Sequence, residues 1–280
     1  MLSYVIAFVA FLLFFFNPLM QLLNPSAPQI HRTPRPQLRN ELLALESANG
    51  TNQLDCGPDL YSVHVFSREP LVIYIENFLA LNERKHLLEI SDPILEPSTV
   101  THDGGESTHR DTTVRDSEVA VIPRTDAVRC IESRARALQG WRDEVWIERL
   151  RVQRYTGPGG HYSHHFDWSA GRGGWGRVSS FMVWVDDGEG ELEGGGTEFP
   201  LLRVREGGRW CDFIECPSGD GDNVVEGGVV FKPVPGNAVY WENFRSDGTG
   251  KGHDETWHAG LPVARGVKVG LNIWSWGRIE

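Results

Sequence analysis

From residue 145 to the C-terminus the chain is a succession of short apolar runs cut by glycines. Residues 145–153 alternate apolar and polar side chains, and 178–185, 229–231, 238–241 and 267–274 are strand-length runs rich in Val, Ile, Phe and Trp. Gly194-Gly195-Gly196 opens a further short strand at Thr197-Glu198-Phe199. With 31 glycines in 280 residues, breakers recur too often for a helical bundle. Ahead of this block, 71–75 reads as a strand and 82–90 as a helix burying Leu87, Leu88 and Ile90. Residues 126–138 read as a second helix, capped by Thr125 or Asp126. Residues 97–115 are polar, carry Gly104-Gly105, and read as a mobile loop. Two helices followed by about eight short strands predict a β-rich α+β fold. The expected architecture is a double-stranded β-helix, or jelly roll, backed by helices.

The N-terminus divides into two stretches. Residues 1–23 carry no charged side chain and are long enough to span a bilayer as a transmembrane signal anchor; a cleaved signal peptide is the alternative. Residues 24–60, rich in Pro, Asn and Gln, read as a linker or stalk, which leaves 61–280 as the folded domain. The sequon Asn49-Gly50-Thr51 and the even set Cys56, Cys130, Cys211 and Cys216 favour the endoplasmic reticulum membrane with a luminal domain. Cys211 and Cys216 flank a short acidic loop and could staple it, which leaves Cys56 with Cys130. Arg32, Arg35 and Arg39 after the apolar span argue for the opposite orientation. A net charge of -11 excludes nucleic-acid binding driven by phosphate contacts.

The chemistry centres on His165-Phe166-Asp167. On extended backbone, residues two apart share a face, so His165 and Asp167 point together while His164 and Phe166 point away. His161 and His164 read as polar rim. A further histidine would complete a 2-His-1-carboxylate triad, which leaves coordination positions open on Fe(II). His253 and His258 are the candidates. Lys268 lies ten residues beyond His258 in an apolar strand, where an ammonium is costly to bury unless it meets an anion.

The run Tyr162-Ser163-His164-His165-Phe166-Asp167-Trp168 is followed by Gly194-Gly195-Gly196-Thr197-Glu198-Phe199-Pro200. Then come Val234-Pro235-Gly236-Asn237-Ala238-Val239 and His258-Ala259-Gly260-Leu261-Pro262-Val263, with Gly266-Val267-Lys268 and Trp274 beyond. In this order the motifs resemble the prolyl 4-hydroxylase branch of the Fe(II)/2-oxoglutarate dioxygenases, over residues 70–278. The resemblance implies iron on His165, Asp167 and His258. It implies the far carboxylate of 2-oxoglutarate on Lys268, with Tyr155 bonded to the same cosubstrate and Tyr162, Thr197 and Trp274 lining its pocket. Arg115 resembles a position near the substrate cleft. The implied activity is hydroxylation of peptidyl proline, with 2-oxoglutarate decarboxylated to succinate and L-ascorbate as an accessory reductant. The implied partner is a peptide or protein substrate; oligomeric state stays open.

Three departures bear on substrate. The stretch from Tyr155 to Gly159 is one residue longer than the usual spacing, residues 203–227 look inserted, and Trp257 stands where a smaller residue is common. All three are expected near the substrate entrance. The alternatives are the same chemistry on a non-prolyl or small-molecule substrate, and a non-catalytic membrane-tethered binding module. A zinc hydrolase would need no lysine at position 268 and would want a nearby glutamate as base.

Overall fold

The computed structural model describes residues 11, 34–46, 54–102, 107–169, 174–203, 208–216 and 228–279. Its frame is a large antiparallel sheet facing a smaller one. The strands that build the two sheets are β1 (Ser62–Arg68), β2 (Leu71–Glu76), β3 (Glu96–Pro97), β4 (Arg115–Asp116), β5 (Glu118–Val121), β6 (Val145–Ile147) and β7 (Arg151–Thr156). They continue with β8 (His161–His165), β9 (Trp175–Asp186), β10 (Thr197–Phe199), β11 (Val229–Phe231), β12 (Ala238–Glu242), β13 (His258–Gly260) and β14 (Val267–Arg278). The large sheet runs β1-β2-β12-β9-β14-β7-β5-β3, with β6 also paired to β14; the small sheet runs β11-β10-β13-β8-β4. This is the β-rich jelly roll expected.

Side-chain alternation along the large sheet builds two layers. On β14, Val269, Leu271 and Ile273 enter one core; on β9 Phe181, Val183 and Val185 join them, and on β12 Ala238 and Tyr240. Helices α1 (Leu81–Ser91) and α2 (Asp126–Leu138) cover that core with Leu87, Val128, Ile131 and Ala135. Leu88 and Ile90 pack at its margin rather than inside it. The opposite parity supplies the space between the sheets: Met182 and Trp184 from β9, Val239 and Trp241 from β12, against Phe199 and Phe231 of the small sheet.

Both helix starts are set locally. Thr125 Oγ1 accepts the Val128 amide at 3.4 Å, so Thr125 is the cap of α2. Glu83 accepts the Ala80 amide at 2.8 Å and also holds Arg134 of α2 through both oxygens at 2.9 Å. A buried ion pair thereby ties the two helices together.

The structure corrects three expectations. Residues 145–153 are two strands: the Glu148 amide bonds to Trp274 O and the Arg149 amide to Leu42 O, because Leu42-Leu43 pairs across the gap. Residues 97–115 include a hairpin of Val100–His102 with Ser107–His109, which β-branched Val100 and Thr108 favour. The stretch 24–60 is not all stalk. Leu43 is buried, Ala44 N bonds to Ile147 O at 2.8 Å, and Arg124 holds Leu45 O and Glu46. The Cys56–Cys130 disulfide fastens the same stretch to α2. The described part of the supposed insertion, 208–216, buries Phe213 and Ile214 in the core between the sheets. It is closed by Cys211–Cys216, and Phe213 stacks on Tyr74 at 4.4 Å.

Apart from Phe11, residues 1–23 lie outside the described residues, as does the sequon at Asn49. No helix among the described residues is long and apolar enough to cross a membrane.

Candidate metal centre and cosubstrate pocket

His165 closes β8 and sits directly opposite His258, the first residue of β13. Asp167 lies two residues past the end of the strand rather than within it. The chain turn nonetheless brings one ligand atom of each of the three to within 4.8 Å of the others. His165 Nε2 is 3.6 Å from Asp167 Oδ1, and His258 Nε2 is 3.9 Å from Oδ2.

Backbone carbonyls select the histidine tautomers. His165 Nδ1 donates to Ser163 O at 2.8 Å, and His258 Nδ1 donates to Thr256 O at 2.9 Å. A carbonyl can only accept, so each Nε2 keeps its lone pair for a metal. Burial pushes His258 down to about 4, helped by the neighbouring His165, so its ring is neutral at pH 7. Burial alone would raise Asp167; the His258 and His165 rings and the Arg177 guanidinium outweigh it and hold the carboxylate ionised, below its usual range. Trp274 Nε1 donates to Asp167 Oδ2 at 2.9 Å. Two imidazoles that turn Nε2 inward beside a fixed carboxylate are the donor set of a facial metal site.

A cleft runs from this triad to Lys268, lined by Gln153, Tyr155, Tyr162, Thr197, Gly260 and Asn272. Lys268 stands opposite Tyr155 across β14 and β7, its Nζ 5.2 Å from the centre of that ring. It is 2 % exposed, and burial pushes it down to about 7. The hydrogen bond found for its Nζ among the described residues runs to Gly195 O at 2.5 Å. Gly195 reaches that position through a turn with φ +77° at Gly194 and +72° at Gly195, a conformation open to glycine at little cost. Thr197 Oγ1 and Gln153 Nε2 are also buried without partners among the described residues. A buried ammonium and two unsatisfied polar atoms, facing a metal triad, fit a dicarboxylate that chelates the metal at one end.

Residues 150–276 match the family model described as 2OG-Fe(II) oxygenase superfamily. The chain carries a 2OG-Fe(II) oxygenase domain. Among curated proteins it is similar to probable prolyl 4-hydroxylase 10 of Arabidopsis thaliana, 29% identical over 226 residues, covering 76% of this chain and 71% of the relative. Prolyl 4-hydroxylase 13 of the same plant is 26% identical over 231 residues, covering 80% and 78%. Prolyl 4-hydroxylase subunit alpha-3 of Mus musculus is 27% identical, but the chain spans only 33% of its length. The viral collagen prolyl hydroxylase of Paramecium Bursaria Chlorella virus-1, solved with 2OG, shares the fold. Its TM-score is 0.51 and identity 22%, covering 74% of this chain and 96% of that one.

Within this oxygenase domain the expected residues converge. His165, Asp167 and His258 form the triad, Lys268, Tyr155, Tyr162 and Thr197 line the cleft, and Trp274 braces Asp167. Tyr155 differs in detail: its hydroxyl donates to Gln153 Oε1 at 2.5 Å. His253 stays out of the triad; it is buried and 3.9 Å from Glu255. His161 bonds to Gly159 O and Thr113 O, and His164 to Glu198, so both are rim residues as expected. Trp257 lies at this rim, 4.7 Å from Phe166 and 6.1 Å from His164 between ring centres.

Sequence reasoning missed Gln153, Asn272, Arg151 and the Arg177–Glu148 pair. Arg177 stacks 3.8 Å over the Trp274 ring, and its Nε is 2.6 Å from Glu148 Oε1. For three of these a signal was present. Arg151 and Gln153 share the parity of Tyr155, and Asn272 that of Lys268 and Trp274, so period 2 puts them on the cleft face.

Proposed function

We propose that the chain is a 2-oxoglutarate-dependent hydroxylase of peptidyl proline. The observation that carries this reading is the pairing of the His165-Asp167-His258 triad with a buried Lys268 that lacks a carboxylate among the described residues. The names of its plant and animal relatives supply the proline. Bound Fe(II) would supply the activation of dioxygen, driven by decarboxylation of 2-oxoglutarate to succinate.

The chain's own residues have separable tasks. His165 and His258 present Nε2 to the metal because their Nδ1 protons are occupied by Ser163 and Thr256. Asp167 completes the set, held by the Trp274 indole. Lys268 meets the far carboxylate, and Thr197 Oγ1 and Gln153 Nε2 lie along the same cleft with hydrogen-bonding capacity unspent. Met182 and Trp241 wall the cleft and keep water from the reacting centre.

The secretory pathway is the proposed location, with residues 1–23 as the anchor, the domain in the lumen and ascorbate as the accessory reductant. Two disulfides and no free cysteine among the described residues support an oxidising compartment.

The test is to supply the full chain with Fe(II), ascorbate and 2-oxoglutarate and follow succinate with and without proline-rich peptides. Peptide-stimulated succinate is expected. Succinate stimulated only by non-peptide compounds would move the target to another substrate class, and no turnover with iron bound would overturn the enzyme reading.

A further inference from the structure

The flank of the cleft carries more positive charge than the reaction needs. Three arginines stack on aromatic rings there. Arg177 and Arg151 lie over Trp274, at 3.8 and 5.4 Å from the ring centre, and Arg115 lies 4.6 Å over Tyr162. Strand register places them on the cleft side. Arg151 is opposite Asn272, and Arg115 is opposite Tyr162, and both of those partners line the cleft.

The carboxylates near them are already committed. Asp167 faces the metal position and Glu148 holds Arg177 through both oxygens, at 2.6 and 2.9 Å. Asp116 turns out to Arg110, and Glu118 is taken by Arg154. Arg115 Nε donates to Ser117 Oγ, while its Nη2 and the Nε of Arg151 are buried without a partner among the described residues. Each of the two guanidinium groups thus holds a buried N–H without a partner, the two are close enough to repel one another, and Glu148, the acid that acts on Arg151, is bonded to Arg177. Lys268 is the cation assigned to the cosubstrate's far carboxylate, which leaves Arg115 and Arg151 for another anion.

We infer that Arg115 and Arg151 bind a carboxylate of the substrate, so that the preferred peptide has an acidic side chain next to the hydroxylated residue. A guanidinium presents a planar fork of N–H donors that matches a carboxylate, and desolvation strengthens the pairing. Within an internal stretch of peptide, an acidic side chain is the anion present without modification. This rests on the peptide-hydroxylase reading and adds to it a rule for which prolines are taken.

The test uses two peptides that differ only in flanking charge, Glu-Pro-Glu and Gln-Pro-Gln in the same neutral background. Binding is measured by calorimetry to the full chain loaded with Mn(II) and 2-oxoglutarate, so the readout does not require turnover. The acidic peptide should bind at least tenfold tighter, with the preference falling as salt is raised. In Arg151→Gln the gap between the two peptides should close, and in Arg151→Lys it should partly reopen, which a packing role for the arginine would not produce. Equal binding of both peptides, binding of neither, or a gap unchanged in Arg151→Gln would overturn the inference. If the acidic preference is found but neither proline gains oxygen with Fe(II), the site stands and the hydroxylase reading fails.

Discussion

Trp274 donates its indole N–H to Asp167 Oδ2 at 2.9 Å, so a residue 107 positions away fixes the carboxylate of the metal triad. The same ring lies under Arg177 at 3.8 Å, which pins the indole in turn. Trp274→Phe keeps the stacked ring and removes only the N–H. Metal affinity should fall about 10- to 100-fold, the usual loss when such an outer hydrogen bond is removed. Titration of the apo-protein with Mn(II) checks this; unchanged affinity would assign Trp274 to packing.

Lys268 should matter for the cosubstrate and not for the metal. Lys268→Ala removes a buried charge-assisted bond of roughly 1.5–3 kcal/mol, which corresponds to about a 10- to 100-fold weaker hold on 2-oxoglutarate. Mn(II) binding should persist, because Lys268 is not among the ligands. Loss of the metal instead would contradict the assigned role.

The same lysine predicts a pH dependence. Burial lowers it from its ordinary 10.5 to about 7 in the cosubstrate-free protein. Between those values the unfolded chain holds a proton that the folded protein has lost. Stability of the cosubstrate-free protein should therefore rise with pH across the window. Lys268→Met should flatten this rise in chemical denaturation. Affinity for 2-oxoglutarate should run the other way, falling as pH climbs above 7, because the dicarboxylate needs the ammonium.

Arg134 anchors α2 to α1 through Glu83 and also reaches Phe78 O at 2.8 Å and Asp59. Arg134→Ala leaves Glu83 buried without its cation. It should cost about 3–5 kcal/mol of unfolding free energy. Glu83 also accepts the Ala80 amide, so Glu83→Ala should remove a helix cap together with the ion pair. A urea midpoint within error of the wild type would contradict the tie.

The parts of this molecule that were legible in its sequence are those set by period-2 alternation and by local ligand chemistry. Alternation along 267–274 separates Val269, Leu271 and Ile273 from Lys268, Asn272 and Trp274, and the two sets enter different layers. The His165-Asp167 pair is likewise local, and His258 and Lys268 follow in order within the motif run. What stayed hidden depends on contacts between distant segments. The break at Glu148 comes from pairing with Leu42-Leu43, and the packing of 208–216 comes from Tyr74 stacking on Phe213. The Arg177–Glu148 pair joins residues 29 apart, with no sequence pattern linking them.

In the proposed function the His165-Asp167-His258 triad and Lys268 together run a hydroxylation driven by 2-oxoglutarate. The most direct measurement is the mass of a proline-containing peptide incubated with the full chain, Fe(II), ascorbate and 2-oxoglutarate, with succinate counted in the same tube. One oxygen gained on proline for each succinate formed is expected, and neither product in His258→Ala. Succinate and an unmodified peptide from every proline substrate, or equal turnover by His258→Ala, would contradict it.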